Sequence, residues 1–230
     1  MKASAAAEPQ SARHRTAGMR KPKAPQANRD RIVKAAIAEF AVRGFKGASM
    51  DAIASRTQTT RALINYYFGG KESLYIVVLE RVYAEIREAE GALDLDHLPP
   101  VDALRRIVEF TYRYYLSHEG FVRLVVTENQ ARGRHLRKSR LIRSLNRPII
   151  DRLSGVLARG QAAGLFRQDA DATEIHKAIA ALGMFNVTNQ HTFGAIFQRE
   201  MGARGDVSRR WNMVADMIVS YLTDFQRRTS

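Results

Sequence analysis

Hydroxyl, guanidinium, amide and ammonium side chains are concentrated between residues 59 and 71 of this 230-residue chain. Small hydroxyls and the free amides of a helix N-terminus suit phosphate oxygens, whereas arginine and asparagine suit the edges of bases. The pattern predicts a DNA contact surface, although a solvated face of an ordinary helical bundle has the same composition. The candidate residues are Thr59, Thr60, Arg61, Asn65, Tyr66 and Lys71.

The overall charge also favours a polyanionic partner. The chain has 37 Lys and Arg residues against 23 Asp and Glu residues, a net charge of +14. Nucleic acid is the commonest polyanion that such a charge attracts.

Composition also argues against several other classes of protein. The absence of cysteine excludes disulfides, thiolate catalysis and sulfur-ligated zinc. No run of about 18 apolar residues predicts a membrane-spanning helix, and the first 27 residues lack the apolar core of a secretory signal. The six histidines do not show metalloprotease spacing, and no nucleophile elbow occurs. We therefore expect a cytoplasmic protein without catalytic activity, metal or cofactor.

The chain begins with a polar, basic segment at residues 1–27. It is rich in Ala, Pro, Ser and Gln, shows no hydrophobic period, and carries six basic residues against Glu8 alone. Such a segment cannot bury enough apolar surface to offset its ordering entropy, so we expect a flexible arm. It would act either as a solubilising leader or as an arm that follows phosphates or a minor groove.

From residue 29 onward, apolar residues recur at helical spacing. Gly44 ends the first helix, and Ser49 and Thr60 are suitable N-caps for two short helices. Lys71 begins a long amphipathic helix. Further helices are predicted at about 101–117, 121–131, 139–163, 172–193 and 207–227. No alternating apolar and polar run predicts a strand, so the expected fold class is all-α.

Two short helices braced by a preceding helix form a helix-turn-helix unit. Apolar residues of the two short helices would pack against the first helix and leave the polar side of the third helix free. The expected organisation is therefore an arm at 1–27, a three-helix DNA-binding domain at 28–73, and a helical bundle at 74–230; the family resemblance described next implies that this bundle binds effector and dimerises.

Two segments strengthen this interpretation. They read FKGASMDAIA from Phe45 to Ala54 and TTRALINYYFGGKESLY from Thr59 to Tyr75. Both resemble the TetR family of bacterial transcriptional regulators, whose N-terminal domain would cover about residues 26–86. The resemblance implies that Thr60, Tyr66 and Lys71 mainly contact phosphates. The full DNA-facing set that it implies is Ser49, Thr59, Thr60, Arg61, Asn65, Tyr66, Tyr67 and Lys71.

This sequence departs from the family pattern at two places. Thr57 and Gln58 stand where the family usually has Ala-Gly, and a left-handed residue other than glycine costs about 1–2 kcal/mol. Asn65 stands where the family often has tyrosine. Because asparagine can pair with adenine through two hydrogen bonds, Asn65 is either a base-reading residue or a phosphate or water contact.

The resemblance therefore implies a ligand-responsive transcriptional regulator. We expect a repressor that binds a palindromic operator on double-stranded DNA as a homodimer and is released by a small-molecule effector. An all-α enzyme with an accessory DNA-binding module and a sequence-independent architectural DNA binder are the alternatives. The enzyme is disfavoured because the sequence shows no catalytic set of residues, and only the positive charge favours the architectural binder.

Two asparagines interrupt the apolar stripe of the helix predicted at 172–193. Polar amides in an apolar wall suit a ligand pocket, although they also bond to each other, to the backbone or to a partner subunit. We expect the effector to contact this helix and its neighbours through Tyr114, Tyr115, Glu128, Arg132, Phe185, Asn186 and Asn189.

The last helix carries large apolar residues at alternating steps of three and four. This spacing is typical of a narrow helix-packing seam, which serves either a dimer interface or the core of the subunit. The predicted dimer residues are Trp211, Val214, Ile218, Tyr221 and Phe225.

Overall fold

The computed structural model describes residues 24–198 and 204–224. These residues form α-helices and one short 3-10 turn, without a strand among them, which confirms the all-α prediction. No helix within the described ranges is long and apolar enough to cross a membrane. The helices are α1 Ala24–Gly47, α2 Met50–Arg56, α3 Arg61–Phe68, α4 Lys71–Gly91, α5 Pro100–Ser117, α6 Glu119–Gln130, α7 Arg140–Leu145, α8 Arg147–Ala162, α9 Ala172–Thr188, α10 Gln190–Phe197 and α11 Arg204–Thr223.

The last residues of the predicted arm are helical. Helix α1 begins at Ala24, so residues 24–27 are helical and belong to the first helix. Residues 1–23, which carry the rest of the predicted arm, lie outside the described residues. Gly44 interrupts α1 with φ of 63°, as its position after the apolar face predicted.

The caps of α2 and α3 are those predicted from the sequence. The Ser49 hydroxyl accepts a hydrogen bond from the Ala52 amide at 3.3 Å, and the Thr60 hydroxyl accepts one from the Leu63 amide at 3.1 Å. Each hydroxyl satisfies a donor that the first helical turn leaves unpaired. Both short helices are therefore fixed at their first residues.

Helix α4 connects the two units of the protein. Its buried side chains include Leu74, Tyr75 and Ile86, each 0% exposed. They belong to a first apolar cluster that also contains Phe40 of α1 and Ile64 of α3. A second apolar cluster, built from α5, α8, α9 and α11, lies beyond the C-terminal end of α4. The position of the DNA-binding unit is therefore set by a helix that it shares with the bundle.

Two long helices predicted in the bundle are each divided. The segment expected at 139–163 forms α7 and α8, which meet at Asn146, because Pro148 lacks an amide proton for a continuous helix. The segment expected at 172–193 forms α9 and α10. They meet at Asn189, whose side-chain amide donates to the Thr188 hydroxyl at 2.8 Å. Asparagine competes with helical hydrogen bonds in this way.

The turn between α2 and α3 is left-handed at Gln58, with φ of 50°. A side chain with a Cβ is strained in this conformation, whereas glycine adopts it freely. The departure from Ala-Gly in the sequence therefore leaves the usual left-handed turn in place, at the expense of backbone strain.

We expect Gln58→Gly to raise the free energy of unfolding by about 0.5–1 kcal/mol, because relief of the strain exceeds the extra chain entropy of glycine. Urea denaturation followed by circular dichroism measures this change. Gln130→Gly in helix α6 is the matched control and should lower stability by a similar amount, since its backbone is helical. A loss of stability in Gln58→Gly would contradict the strain at this turn.

Candidate DNA-binding site

Helix α3 has one buried side and one free side. Ile64 and Phe68 are 0% and 7% exposed and pack into the first apolar cluster. On the opposite side Arg61 and Asn65 are exposed, and Tyr66 is 82% exposed. An aromatic ring with that exposure contributes little to the core, so this side of α3 is available to a partner.

Four further predicted residues surround this free side, with different degrees of access. The Ser49 and Thr60 side chains are exposed at the starts of α2 and α3, and each hydroxyl keeps its proton for a phosphate oxygen. Tyr67 is half-buried, with its ring 5.7 Å from that of Tyr66. Thr59 is half-buried, and its hydroxyl oxygen is covered by protein and has no hydrogen-bond partner among the described residues.

Lys71 lies at the beginning of α4, where backbone amides and an ammonium come together. Its Nζ donates to the Lys46 carbonyl oxygen at 3.2 Å and lies 5.3 Å from the centre of the Phe45 ring. These contacts hold the ammonium beside the segment between α1 and α2. The phosphate clamp that the sequence predicts at Lys71 would use this ammonium together with the first amides of α4.

Arg61 is paired only loosely. Its Nη1 is 3.5 Å from Asp51 Oδ2, and the two side chains are 62% and 71% exposed. An exposed pair of this kind contributes about 0–1 kcal/mol, so a base or phosphate can displace Asp51 at little energetic expense.

Two positioning residues were not identified from the sequence. The buried carboxylate of Glu39 accepts a hydrogen bond from the Ser49 amide at 3.1 Å and so ties α1 to the start of α2. Arg29 donates to the Tyr67 carbonyl oxygen at 3.0 Å, and its guanidinium lies 4.8 Å from the centre of the Phe68 ring. The available signal was weak: Glu39 is an acid directly before Phe40 on a buried helix face.

A second polar cluster joins α4 to the segment after α6. Lys138 Nζ lies 2.6 Å from Glu72 Oε1, and this hydrogen bond lowers the pKa of Glu72. Buried Glu128 lies 2.7 Å from His135 Nδ1 and accepts hydrogen bonds from the amides of His135 and Leu136. Glu128, predicted to contact effector, is therefore occupied in holding this segment against α4.

The other predicted effector residues do not share one environment. Tyr114 and Tyr115 are buried, whereas Arg132 and Phe185 are exposed. Asn186 donates to the Leu182 carbonyl oxygen at 2.8 Å. With Asn189 bonded to Thr188, both amides have partners within their own segment of chain. This is the structural alternative that the sequence left open, and it removes the reason for placing a pocket at these amides.

The predicted dimer seam is also corrected. Val214 and Ile218 are 3% and 6% exposed within the single chain and belong to the second apolar cluster, against which Trp211 packs. Of the predicted set, Tyr221 is 52% exposed, and Phe225 lies outside the described residues. The spacing of three and four therefore serves mainly the core of the subunit.

Two parts of the chain match families of known regulators. Residues 32–78 match "Bacterial regulatory proteins, tetR family", and residues 100–218 match "Tetracyclin repressor-like, C-terminal domain". The chain therefore belongs to the TetR family of bacterial transcriptional regulators, as its sequence resemblance implied.

Individual relatives agree with this assignment. The chain is 41% identical over 167 residues to the HTH-type transcriptional repressor NicS of Pseudomonas putida, an alignment covering 73% of this chain and 79% of NicS. It is 33% identical over 111 residues to the repressor SCO4008 of Streptomyces coelicolor, covering 47% and 53% of the two chains. The same fold occurs in the putative regulator SCO4942 of Streptomyces coelicolor, with a TM-score of 0.64, 22% identity and coverage of 85% and 98%.

Asn65→Ala and Lys71→Ala should have different effects on DNA binding. Loss of Asn65 should relax preference at one base pair per half-site by about 1–3 kcal/mol, because only a base contact carries sequence information. Loss of Lys71 should weaken binding to all sequences and reduce the salt slope by about one unit per chain. Fluorescence anisotropy with matched and single-substituted duplexes at several salt concentrations measures both effects. Equal loss on every duplex for Asn65→Ala would assign Asn65 to the backbone.

Proposed function

We propose that this protein is a transcriptional repressor that binds a palindromic operator as a homodimer and is released by a small-molecule effector. The observation that carries the proposal is the free side of α3, which presents Arg61, Asn65 and Tyr66 on a helix fixed from behind by the first apolar cluster. The name of the relative NicS as a transcriptional repressor supports repression.

Specificity and affinity would come from different side chains. Arg61 and Asn65 suit base edges in the major groove, whereas Thr60, Tyr66 and Lys71 suit phosphates on either side of it. The exposed hydroxyl of Ser49 adds a phosphate contact at the start of α2. In helix-turn-helix proteins a recognition helix lies in the major groove and is positioned there by contacts to the DNA backbone, which is the same division of roles.

Helix α4 offers a physical route from effector to DNA. It begins at Lys71 beside the DNA-binding surface and continues among the bundle helices α5, α6, α7 and α8. An effector that binds one position of α4 more tightly shifts the population of operator-competent protein. A shift from 1:99 to 99:1 needs about 5.5 kcal/mol of differential binding.

The contact between Glu72 and Lys138 would take part in this coupling. It joins the first turn of α4 to the segment after α6, which the buried Glu128 holds in place. Movement of that segment therefore changes the position of Lys71 directly.

We also propose that the protein works in the cytoplasm by binding alone, with no catalytic step. The regulators of its family act on DNA, and the name of its relative NicS describes a repressor.

We expect a selection from random duplex DNA to yield a palindromic site. The dimer has two equivalent recognition helices, so its half-sites should be inverted and their centres one helical turn or a multiple of it apart. The selected duplex should win over random DNA by about 1,000-fold or more at near-physiological salt, as specific binding typically does. Binding that shows no preference would instead identify an architectural DNA binder.

For dimerisation, α9 and α11 pack against each other, and each also carries exposed apolar side chains. Phe185 of α9 is 46% exposed, and Met213, Met217 and Tyr221 of α11 are 57%, 53% and 52% exposed. A groove on α11 is lined by Met213 and Met217 together with polar side chains. Two copies of this face would form a four-helix interface related by a two-fold axis.

Met217→Glu should give folded monomers, because it places a charge in the dimer interface without entering the core. The variant should also lose at least about tenfold in operator affinity, since a monomer reaches one half-site. Sedimentation equilibrium and anisotropy measure the two effects. Leu141→Glu is the matched control, since Leu141 is a 48% exposed apolar residue on α7, which is not one of the two helices of the proposed interface. A Met217→Glu protein that stays dimeric would exclude this face as the interface.

A further inference from the structure

A layer of polar side chains lies between the two apolar clusters. Helix α4 contributes Ile86 to the first cluster and then carries Arg87 and Glu90. Helix α5 contributes Val108 to the second cluster and Tyr115 to the first, with Thr111 between them. A layer of hydrogen-bonding groups at this depth is energetically costly unless its members find partners.

Arg87 is the charged centre of this layer. Its side chain is 9% exposed, and its Nη1 lies 2.6 Å from Oε2 of Glu90, whose side chain is 4% exposed. This ion pair holds Nη1, whereas Nε of Arg87 has no hydrogen-bond partner within the described residues. The buried guanidinium is thus left with its Nε–H donor unused.

Two neutral groups of the layer also have unused hydrogen-bonding capacity. Thr111 is 1% exposed, and its hydroxyl oxygen has no hydrogen-bond partner within the part of the chain that the structure describes. The same is true of Nδ1 of His176 on α9. Burial lowers the pKa of His176 to about 4, with a further contribution from the charge of Arg87, so the imidazole is neutral near pH 7.

The charges of the layer do not balance. Besides Arg87, the guanidinium of Arg152 donates to the carbonyl oxygen of Glu90 at 2.6 Å. Burial raises the pKa of Glu90 to about 7, although Arg87 and Arg152 oppose this shift. The Glu90 carboxyl, about half-protonated near neutral pH, therefore neutralises the charge of Arg87 only in part, and the charge of Arg152 adds to the positive side.

Helices α5 and α9 approach closely beside this layer. A Cβ at Gly183 of α9 would lie 3.1 Å from Cδ2 of Tyr115, so glycine is what allows the contact. Tyr115 is 2% exposed, and burial raises the pKa of its hydroxyl. The wall next to Arg87 is therefore an uncharged aromatic surface.

We propose that Arg87, Glu90, Thr111 and His176 form the recognition layer for the effector, and that the effector is a small organic carboxylic acid. Its carboxylate would accept a hydrogen bond from Nε of Arg87 and place a negative charge beside this guanidinium. Thr111 and His176 would bond to polar substituents, while Tyr115 packs against the carbon skeleton. The inference rests on the proposed function, since it names the ligand class of a regulator.

Paired probes test the need for a carboxylate. Benzoate, phenylacetate and hexanoate are compared with their primary amides, and inorganic phosphate serves as a second anion. Fluorescence of Trp211, the single tryptophan of the chain, and the melting temperature report binding. At least one acid should bind tenfold more tightly than its amide and lower affinity for the selected operator duplex. The proposal is overturned if no acid exceeds its amide, or if phosphate binds as tightly as the acids.

Variants of α4 locate the interaction. Arg87→Met should abolish the preference for acid over amide, and Arg87→Lys should reduce acid binding at least threefold because it keeps the charge and loses the Nε donor. Glu90→Gln should strengthen acid binding, since it removes the carboxylate that competes for Arg87. Arg81→Gln is the matched control, because Arg81 is a 56% exposed arginine on the same helix. Unchanged acid binding in Arg87→Lys overturns the proposal even if Arg87→Met does not fold.

The two proposals fail in different ways. If the wild-type protein binds its selected duplex and no acid alters that binding, the proposal of a carboxylate-binding layer is wrong, while the proposal of a repressor still stands. If the wild-type protein binds no duplex specifically, the proposed function is wrong, while fluorescence of the free protein still decides whether Arg87 holds a carboxylate.

Discussion

Burial of the apolar side of α4 is the interaction on which the rest of the protein depends. Leu74, Val78 and Leu79 are 0% exposed and hold α1 and α3 in place, while residues further along face the bundle. Burying each such side chain contributes about 1.5–3 kcal/mol. Because one rigid helix takes part in both units, the DNA-binding surface cannot move independently of the bundle.

That dependence explains why polar contacts cluster at the start of α4. Glu72 pairs with Lys138, and His135 packs its ring 4.9 Å from that of Tyr75, so the segment after α6 is held against α4 by both charge and packing. Glu128 fixes the same segment from inside through three polar contacts. A change in the bundle therefore reaches the DNA-binding unit through a short and well-packed connection.

The recognition surface and the effector domain meet opposite physical requirements. The polar side of α3 must remain exposed, and its residues are weakly bound to the protein, as the loose pair of Arg61 and Asp51 illustrates. The groups around Arg87 are instead buried with part of their hydrogen-bonding capacity unused. Exposed groups exchange water for DNA at little expense, whereas buried unpaired groups favour a ligand that satisfies them.

The sequence by itself determined the all-α class, the caps at Ser49 and Thr60, and the exposed polar side of α3, because helical period, capping and local motif spacing are properties of neighbouring residues. The sequence did not determine which apolar faces of the helices pack inside the subunit and which remain free for a partner. The seam at Val214 and Ile218 suits a core and a dimer equally well, and only the tertiary structure decided for the core. Likewise, Asn186 and Arg87 both look polar in sequence, yet Asn186 bonds to its own helix, while Arg87 is enclosed by neighbouring helices that no local pattern specifies.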